Sequence, residues 1–317
     1  MDKVKLYLDK IKKFIRVDKI KKILFGRNLS DGLILRSIVY LLLISIGFVY
    51  LYPMLYMLSY SFMKPQDITN PMVIWVPTEL YFENFNKAII TLKYFETLLS
   101  SLTITLVPAI IQTIVCSLIG YGFARYNFPL KKTLLFLVLV TFIVPIQVYT
   151  IPRYVMFHQF GILETALSII IPSIFGQGVN SAIFILIFYQ FFRIIPNAFF
   201  EAAEIEGAGD YKIFFKIAVP LAIPSYITSF LFGFVWYWNE TYISSLFLGQ
   251  DFQSLQIKLA YFVSQFAASY PNEEAQRLNE GIRLAATLLI ILPMLLVYFI
   301  MQRYFIEGVE KSGIAGE

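Results

Sequence analysis

The sequence is poor in charge and has almost none of the side chains that build soluble metal sites. Only 15% of its 317 residues are charged, against about a quarter in a typical soluble domain. The chain has one cysteine, Cys116, and one histidine, His158, so it cannot form an intrachain disulfide and offers no cluster of metal ligands. We interpret Cys116 as a small buried apolar residue and His158 as a loop residue.

Two catalytic patterns are also missing. No G-x-x-x-x-G-K-[ST] loop is present to hold nucleotide phosphates. A single histidine in a short loop cannot serve a Ser/His/Asp or Cys/His set. The sequence therefore offers no nucleotide-binding loop, no nucleophilic catalytic set and no cluster of metal ligands.

The sequence is rich in long hydrophobic stretches. Hydrophobic residues make up 58% of the chain, and the mean hydropathy is +0.69. A transmembrane helix needs about 20 apolar residues. Six stretches meet this requirement, and they are continuously apolar where barrel strands would alternate. We predict an all-α integral membrane protein with about six transmembrane helices, at roughly 37–62, 98–122, 133–156, 165–191, 220–247 and 284–302.

The basic residues are distributed unevenly along the chain. Nineteen of the 26 Lys and Arg residues fall in segments on the same side as the N-terminus, and seven fall on the other side. The positive-inside rule then places both termini in the cytoplasm. We divide the chain into a basic N-terminal segment, 1–33, and one six-span domain, 34–317. Apolar residues at helical spacing in 1–24 suit either an amphipathic helix on the inner leaflet or a solvated basic tail. We favour lipid headgroups over nucleic acid as the contact of this segment.

One cytoplasmic connection, 196–219, has a pattern typical of a helix–turn–helix. Asn197 is a candidate N-cap, and Glu201 lies near the positive end of the first helix. Gly207 is expected to end that helix with a positive φ, and Asp210 is expected to cap the second. On physical grounds alone this segment is either a surface that presents small residues and acids or a plain amphipathic hairpin.

The spacing within this connection resembles a known motif. Glu201-Ala202-Ala203, Gly207, Ile217 and Val219-Pro220 match the EAA motif of membrane subunits of bacterial ATP-binding-cassette importers, with Val219 where Leu is usual. Three further segments are similar to the carbohydrate-importer, maltose-type branch, and to the smaller of its two paired permeases: Gly120 to Arg125, Trp238-Asn239-Glu240, and Gln302 to Gly308.

The resemblance implies a type I importer permease in the bacterial cell membrane, forming half of the path for a sugar or oligosaccharide. It also implies partners: a second homologous permease subunit, a cytoplasmic ATPase dimer that binds ATP and Mg, and an extracellular solute-binding protein. By the same resemblance this subunit is not an enzyme and binds no cofactor or metal of its own, which agrees with the missing catalytic patterns. The connection 196–219 becomes the coupling loop. The ATPase-coupling residues carried over from the motif are Glu201, Ala202, Ala203, Gly207, Ile217 and Pro220.

Polar groups inside membrane spans are costly, so they indicate a candidate transport path. Amides and aromatic faces suit the hydroxyls and CH faces of a sugar, although interhelical hydrogen bonds and an aromatic belt explain the same residues. We also predict a Glu240–Arg283 pair, and breaks at Pro145, Pro172 and 176–178. The candidate path residues are Gln147, Tyr149, Gln177, Asn180, Trp236, Trp238, Asn239 and Glu240.

Other functions remain open. The cargo could be a polyol, a glycerol phosphate or a peptide, but a phosphate calls for basic residues in the cavity, and the spans have none except near their ends. A stand-alone secondary transporter would show paired acids or broken helices in two related halves, and we find neither. A membrane scaffold with no transport role would leave the EAA-like loop unexplained.

Overall fold

A computed structural model describes residues 32–249, 252–271 and 279–314, with side chains to residue 304 in the last helix. The predicted amphipathic helix over 1–24 lies outside the described residues. Within them the chain is helical, with no strand. The helices are α1 Leu33–Ser61, α2 Pro65–Thr69, α3 Glu83–Leu92, α4 Tyr94–Arg125, α5 Lys131–Ile143, α6 Ile146–Gln159, α7 Leu167–Ile174, α8 Ser181–Ile194, α9 Asn197–Ile205, α10 Asp210–Ile213, a π-helical segment Phe214–Ala218, α11 Val219–Leu221, α12 Ile223–Asn239, α13 Tyr242–Phe247, α14 Leu255–Ala260, α15 Phe262–Ser269 and α16 Glu280–Ile314.

Three helices, α1, α4 and α16, are each long and apolar enough to cross a membrane. Up to six spans result if three bent helix pairs are each counted as one, which agrees with the predicted number. The helix α16 continues to Ile314, beyond the predicted edge of the last span at 302.

The third, fourth and fifth predicted spans are broken helices. Helices α5 and α6 meet at 96° around Pro145, as the proline predicted. The fourth span is divided into α7 and α8 by residues 175–180, where Gly176 has a φ of +66°. The fifth was predicted as one span at roughly 220–247, and the structure interrupts it within those bounds. The helix α12 begins at Ile223 and ends at Asn239, and Glu240 and Thr241 separate it from α13.

The helix α4 is the centre of the bundle and packs against α7, α8 and α12. Its approach to α8 is close at Gly120, where a Cβ would lie 2.6 Å from the Cβ of Phe188. Only glycine permits this contact without displacing the neighbouring helix. At Gly122 a Cβ would meet nothing within 4 Å, so of these two glycines in the Gly120–Arg125 segment only Gly120 has a packing role.

Four short helices, α2, α3, α14 and α15, pack on the N-terminal ends of α4 and α16. Asn84 in α3 is buried and donates from Nδ2 to the carbonyls of Ser61 and Met63, at 3.0 and 2.8 Å. The Lys258 ammonium donates to the Leu92 carbonyl at 3.2 Å and to the hydroxyl of Thr97 at 2.7 Å. These bonds satisfy carbonyls left unpaired where α1 and α3 end.

Candidate functional site

The EAA-like loop is a helical hairpin formed by α9, the turn 206–209 and α10. Its first residue is not capped as predicted, because Pro196 occupies the N-cap position and the Asn197 side chain is used elsewhere. The Asn197 Oδ1 accepts a hydrogen bond from Arg125 Nη1 at 3.2 Å. The Asp210 side chain does not cap the second helix either, since Gly209 is the N-cap residue.

Arg125, at the end of α4, holds the hairpin by three contacts. In addition to Asn197, its Nη2 lies 2.7 Å from Oε1 of Glu204, and its guanidinium lies over the Phe200 ring at 4.5 Å. An exposed ion pair contributes only about 0.2–1 kcal/mol, but the planar guanidinium also fixes orientation. The Gly120–Arg125 segment and the EAA-like loop, separated in sequence, therefore form one structural unit.

The turn has the geometry that its glycine predicts. Gly207 has a φ of +79°, and the Ala208 N–H donates to the Ala203 carbonyl at 2.9 Å, which closes the end of α9.

A contact between Tyr126 and Asp210 holds the second helix of the hairpin, α10. Burial, together with a hydrogen bond to the Asp210 carboxylate, raises the pKa of Tyr126 to about 12. The Tyr126 hydroxyl therefore stays protonated and available as a donor.

The hairpin exposes more apolar surface than the sequence suggests. Of the predicted coupling residues, Glu201, Ala202, Gly207 and Pro220 are exposed, Ile217 is half-buried and Ala203 is buried in the aromatic cluster beneath. Ala203 therefore does not contribute to the outer surface of the hairpin. Sequence reasoning missed Ile205 and Tyr211, which are 87% and 85% exposed at the tip. Apolar residues next to a helix-ending glycine were the available signal.

A cavity of about 410 Å³ lies where the three helix breaks meet. Its walls come from the α5–α6 bend, the α7–α8 break and the end of α12. Five predicted path residues line it: Gln147, Tyr149, Gln177, Asn180 and Glu240. The amides of Gln147, Gln177 and Asn180 have no protein hydrogen-bond partner within the described ranges. The volume is in the range of small-ligand sites.

The other three predicted path residues do not line this cavity. Trp238 is buried and stacks on Phe234, with ring centroids 5.8 Å apart. Trp236 packs against Phe184 at 5.1 Å. Asn239 donates from Nδ2 to the Val235 carbonyl at 2.8 Å. The role of all eight residues in transport stays a prediction.

The predicted pair of Glu240 with Arg283 is wrong. The Glu240 carboxylate accepts from the Ile243 N–H at 2.7 Å, the Ser244 N–H at 2.8 Å and the Ser244 hydroxyl at 3.0 Å. Arg283 pairs with Glu280 at 3.6 Å. Because α12 ends at Asn239, the Glu240 carboxylate compensates the first free N–H groups of α13.

Three residues important to the cavity were missed from the sequence. Arg153 lines it, although its position near a predicted span end assigned it to an external connection. Tyr237 and Gln112 are buried side chains that hold one wall. A glutamine in the middle of an apolar helix was the available signal for Gln112.

Gln112 and Tyr237 bind the backbone of the α7–α8 break. The Gln112 Nε2 donates to the Val179 carbonyl at 2.8 Å, and the Val179 N–H donates to the Tyr237 hydroxyl at 3.1 Å. The hydroxyl in turn donates to Gln112 Oε1 at 2.5 Å. A Cβ on Gly178 would overlap both side-chain oxygens. The two side chains thus replace the hydrogen bonds that the broken helix has lost.

The chain matches the family model described as "Binding-protein-dependent transport system inner membrane component" over residues 116–311. This match covers more than half of the chain. The chain belongs to this family. The permease described here is therefore the membrane component of a binding-protein-dependent, ATP-binding-cassette transport system.

Named relatives cover most of the permease. The diacetylchitobiose uptake system permease protein NgcG of Streptomyces coelicolor is 27% identical over 87% of this chain and 88% of its own length. The lactose transport system permease protein LacG of Rhizobium radiobacter is 32% identical over 67% and 73%. The polygalacturonan/rhamnogalacturonan transport system permease protein YtcP of Bacillus subtilis is 25% identical over 88% and 97%.

The fold is also that of a solved importer. The permease aligns with a chain of a bacterial ABC transporter that imports the acidic polysaccharide alginate, with a TM-score of 0.69 and 22% identity over 86% of this chain and 96% of that one. The predicted all-α importer-permease fold is confirmed.

We expect Tyr237→Phe to destabilise the permease by about 1–3 kcal/mol, because it leaves the buried Val179 N–H and Gln112 Oε1 without their shared partner. Gly178→Ala should lower the stability at least as much, since its methyl group would overlap the Tyr237 hydroxyl and Gln112 Oε1. Thermal unfolding of the purified permease complex in detergent measures both. Tyr242→Phe is the matched control, because Tyr242 lines the same cavity and its hydroxyl has no protein hydrogen bond in the described part of the chain. Equal melting temperatures for all three variants would contradict this role of Tyr237.

Proposed function

We propose that the permease forms half of the translocation path for a sugar or oligosaccharide in an ATP-driven importer. The observation that carries this is the 410 Å³ cavity, whose lining includes the Tyr149 ring and three amides without protein partners in the described part of the chain. Amides donate to and accept from hydroxyls, and an aromatic face suits the CH face of a pyranose. The relatives named for diacetylchitobiose, lactose and polygalacturonan support a carbohydrate cargo.

Energy for transport comes, in this proposal, from a separate ATPase dimer that binds ATP and Mg. The cargo is delivered by an extracellular binding protein, and a second permease completes the path. The hairpin 196–219 is the ATPase contact, with Glu201, Ala202 and Gly207 on its surface and Ile205 and Tyr211 as the apolar residues at its tip. An exposed apolar pair of this kind is typical of a protein contact surface.

Orientation is part of the same proposal. Both termini lie in the cytoplasm, as the distribution of basic residues indicates. The hairpin then faces the cytoplasm, and the layer of α2, α3, α14 and α15 faces the binding protein.

Cysteine labelling of intact cells tests the orientation. Both Ser269 and Lys212 are exposed, and the native Cys116 is buried, so a single new thiol can be read without interference. Ser269→Cys should react with a membrane-impermeant maleimide added outside the cells. Lys212→Cys should react only after the membrane is permeabilised. Labelling of Lys212→Cys in intact cells would reverse the orientation.

Uptake of labelled oligosaccharides, by cells with and without the gene, tests the cargo. Gln177→Ala and Asn180→Ala should each lower uptake about 10-fold, because each removes a hydrogen bond to the sugar inside the cavity. Asn239→Ala is the matched control, since its amide bonds within α12 and lies outside the cavity lining. Uptake that is unaffected by the two cavity variants, or equally reduced by all three, would argue against a sugar path here.

Charge reversal in the hairpin tests the ATPase contact. Glu201→Lys should release the ATPase on purification and reduce cargo-stimulated ATP hydrolysis, because it reverses a charge in the first turns of α9. Gly207→Asp should do the same, since an L-residue at a φ of +79° is strained by about 1 kcal/mol and its side chain would extend into the contact.

The control for these variants is Lys132→Glu, a charge reversal at an exposed residue of α5 outside the hairpin. All three variants should still insert and co-purify with the second permease, because Glu201, Gly207 and Lys132 are exposed and none lies in the packed core. If Glu201→Lys and Gly207→Asp retain the ATPase as well as Lys132→Glu does, the hairpin is not the coupling element.

A further inference from the structure

Arg153 is a cation in the wall of the cavity. It lies on α6, is half-buried, and lines both the 410 Å³ cavity and an adjoining one of about 390 Å³, which also share Tyr149 and Gln177. Its guanidinium lies over the Tyr149 ring, 4.8 Å from the centroid. Arginine keeps its charge at any physiological pH, so this wall of the path is positive.

No carboxylate in the described part of the chain neutralises that charge. The ionisable side chains that interact with Arg153 are the phenols of Tyr149 and Tyr237. Glu240 lines the same cavity, but its two oxygens are taken by three donors of residues 243 and 244. A cation–π contact compensates only part of the cost of removing a guanidinium from water. The cavity therefore holds a set of strong donors with no acceptor of matching charge.

We propose that this cavity is a subsite for an acidic sugar, and that Arg153 binds the carboxylate of a uronate-type residue of the cargo. The inference rests on the proposed sugar-importer function and narrows its substrate class. The planar guanidinium can bind a carboxylate through two parallel, charge-assisted hydrogen bonds, which are stronger than the bonds that it can make to the neutral hydroxyls of a sugar. The free amides of Gln147, Gln177 and Asn180 remain available for the ring hydroxyls, and the open part of the Tyr149 ring for a CH face.

The test compares two cargoes in the complete importer, reconstituted with its binding protein, second permease and ATPase. One cargo is a labelled oligosaccharide containing a uronate, and the other is the same oligosaccharide with that carboxylate reduced to the neutral hexose. The readout is the ratio of their uptake rates in one preparation, so that a variant that assembles poorly lowers both rates and leaves the ratio unchanged.

Arg153→Gln should lower the ratio of acidic to neutral uptake rates about 10-fold or more. It removes the positive charge and the pair of parallel N–H donors but retains a polar side chain. Arg153→Lys should retain part of the ratio, since it keeps the charge without the planar fork. The matched control is Arg193→Gln. Arg193 also lies over a tyrosine ring, that of Tyr189 at 6.0 Å, but it does not line the cavity.

The possible outcomes separate this inference from the proposed function. A ratio that falls in Arg153→Gln and not in Arg193→Gln supports an acidic-sugar subsite. Uptake of the neutral sugar with a ratio unaffected by Arg153→Gln overturns the subsite and leaves the sugar importer standing. An equal loss of both cargoes in Arg153→Gln, with Arg193→Gln unaffected, also overturns it, because the arginine then pairs with a protein carboxylate such as one from the second permease. Uptake of neither cargo by the unaltered importer overturns the sugar function itself.

Discussion

The backbone between α7 and α8 must find its hydrogen bonds inside the protein, because lipid provides none. Much of the cavity depends on this constraint. Gly176 and Asn180 take positive φ values, which end one helix and start the next. Gln112 then binds the carbonyl of Val179, and Tyr237 binds its N–H. A side chain on Gly178 would prevent that approach. Non-helical backbone within a membrane span is tolerated only where it is buried in protein or lines a cavity. The backbone between α7 and α8 packs against Gln112 and Tyr237 and also lines the cavity.

Local signals in the sequence predicted the breaks at Pro145 and 176–178, whereas Pro172 lies inside α7 and does not interrupt it. Proline lacks an N–H and glycine accepts a positive φ whatever surrounds them, so Pro145 and the 176–178 segment could be identified one residue at a time. The hairpin turn at Gly207 was predictable for the same reason. Its position beside Arg125 was not, because that contact joins residues far apart in sequence, and only a resemblance to a family indicated that both segments matter.

Errors arose where the outcome depends on tertiary geometry. The partner of Glu240 depends on α12 ending at Asn239, the residue before Glu240, which no local signal in the sequence marks. Trp236 and Trp238 share a helix with Tyr237, but the rotation of α12 turns only Tyr237 among the three toward the cavity. Arg153 was assigned to an external connection by counting along the chain, since a 96° bend between α5 and α6 is not evident from composition.

Two continuous helices connect the hairpin to the cavity. The helix α8 starts next to Asn180 in the cavity wall and ends at Ile194, directly before the Ile195-Pro196 link to α9. It is about 20 Å long. The helix α12 leads back from the hairpin to Tyr237 and Glu240. Its near end is irregular because Pro220 and Pro224 each remove a backbone donor, and the chain there bends by 74° after a π-helical segment. A packed bundle transmits displacements along rigid helices and absorbs them at such bends. In the proposed coupling, a displacement of the hairpin would reach two walls of the cavity along these helices. The hydrogen bonds of Gln112 and Tyr237 to Val179 join those two walls.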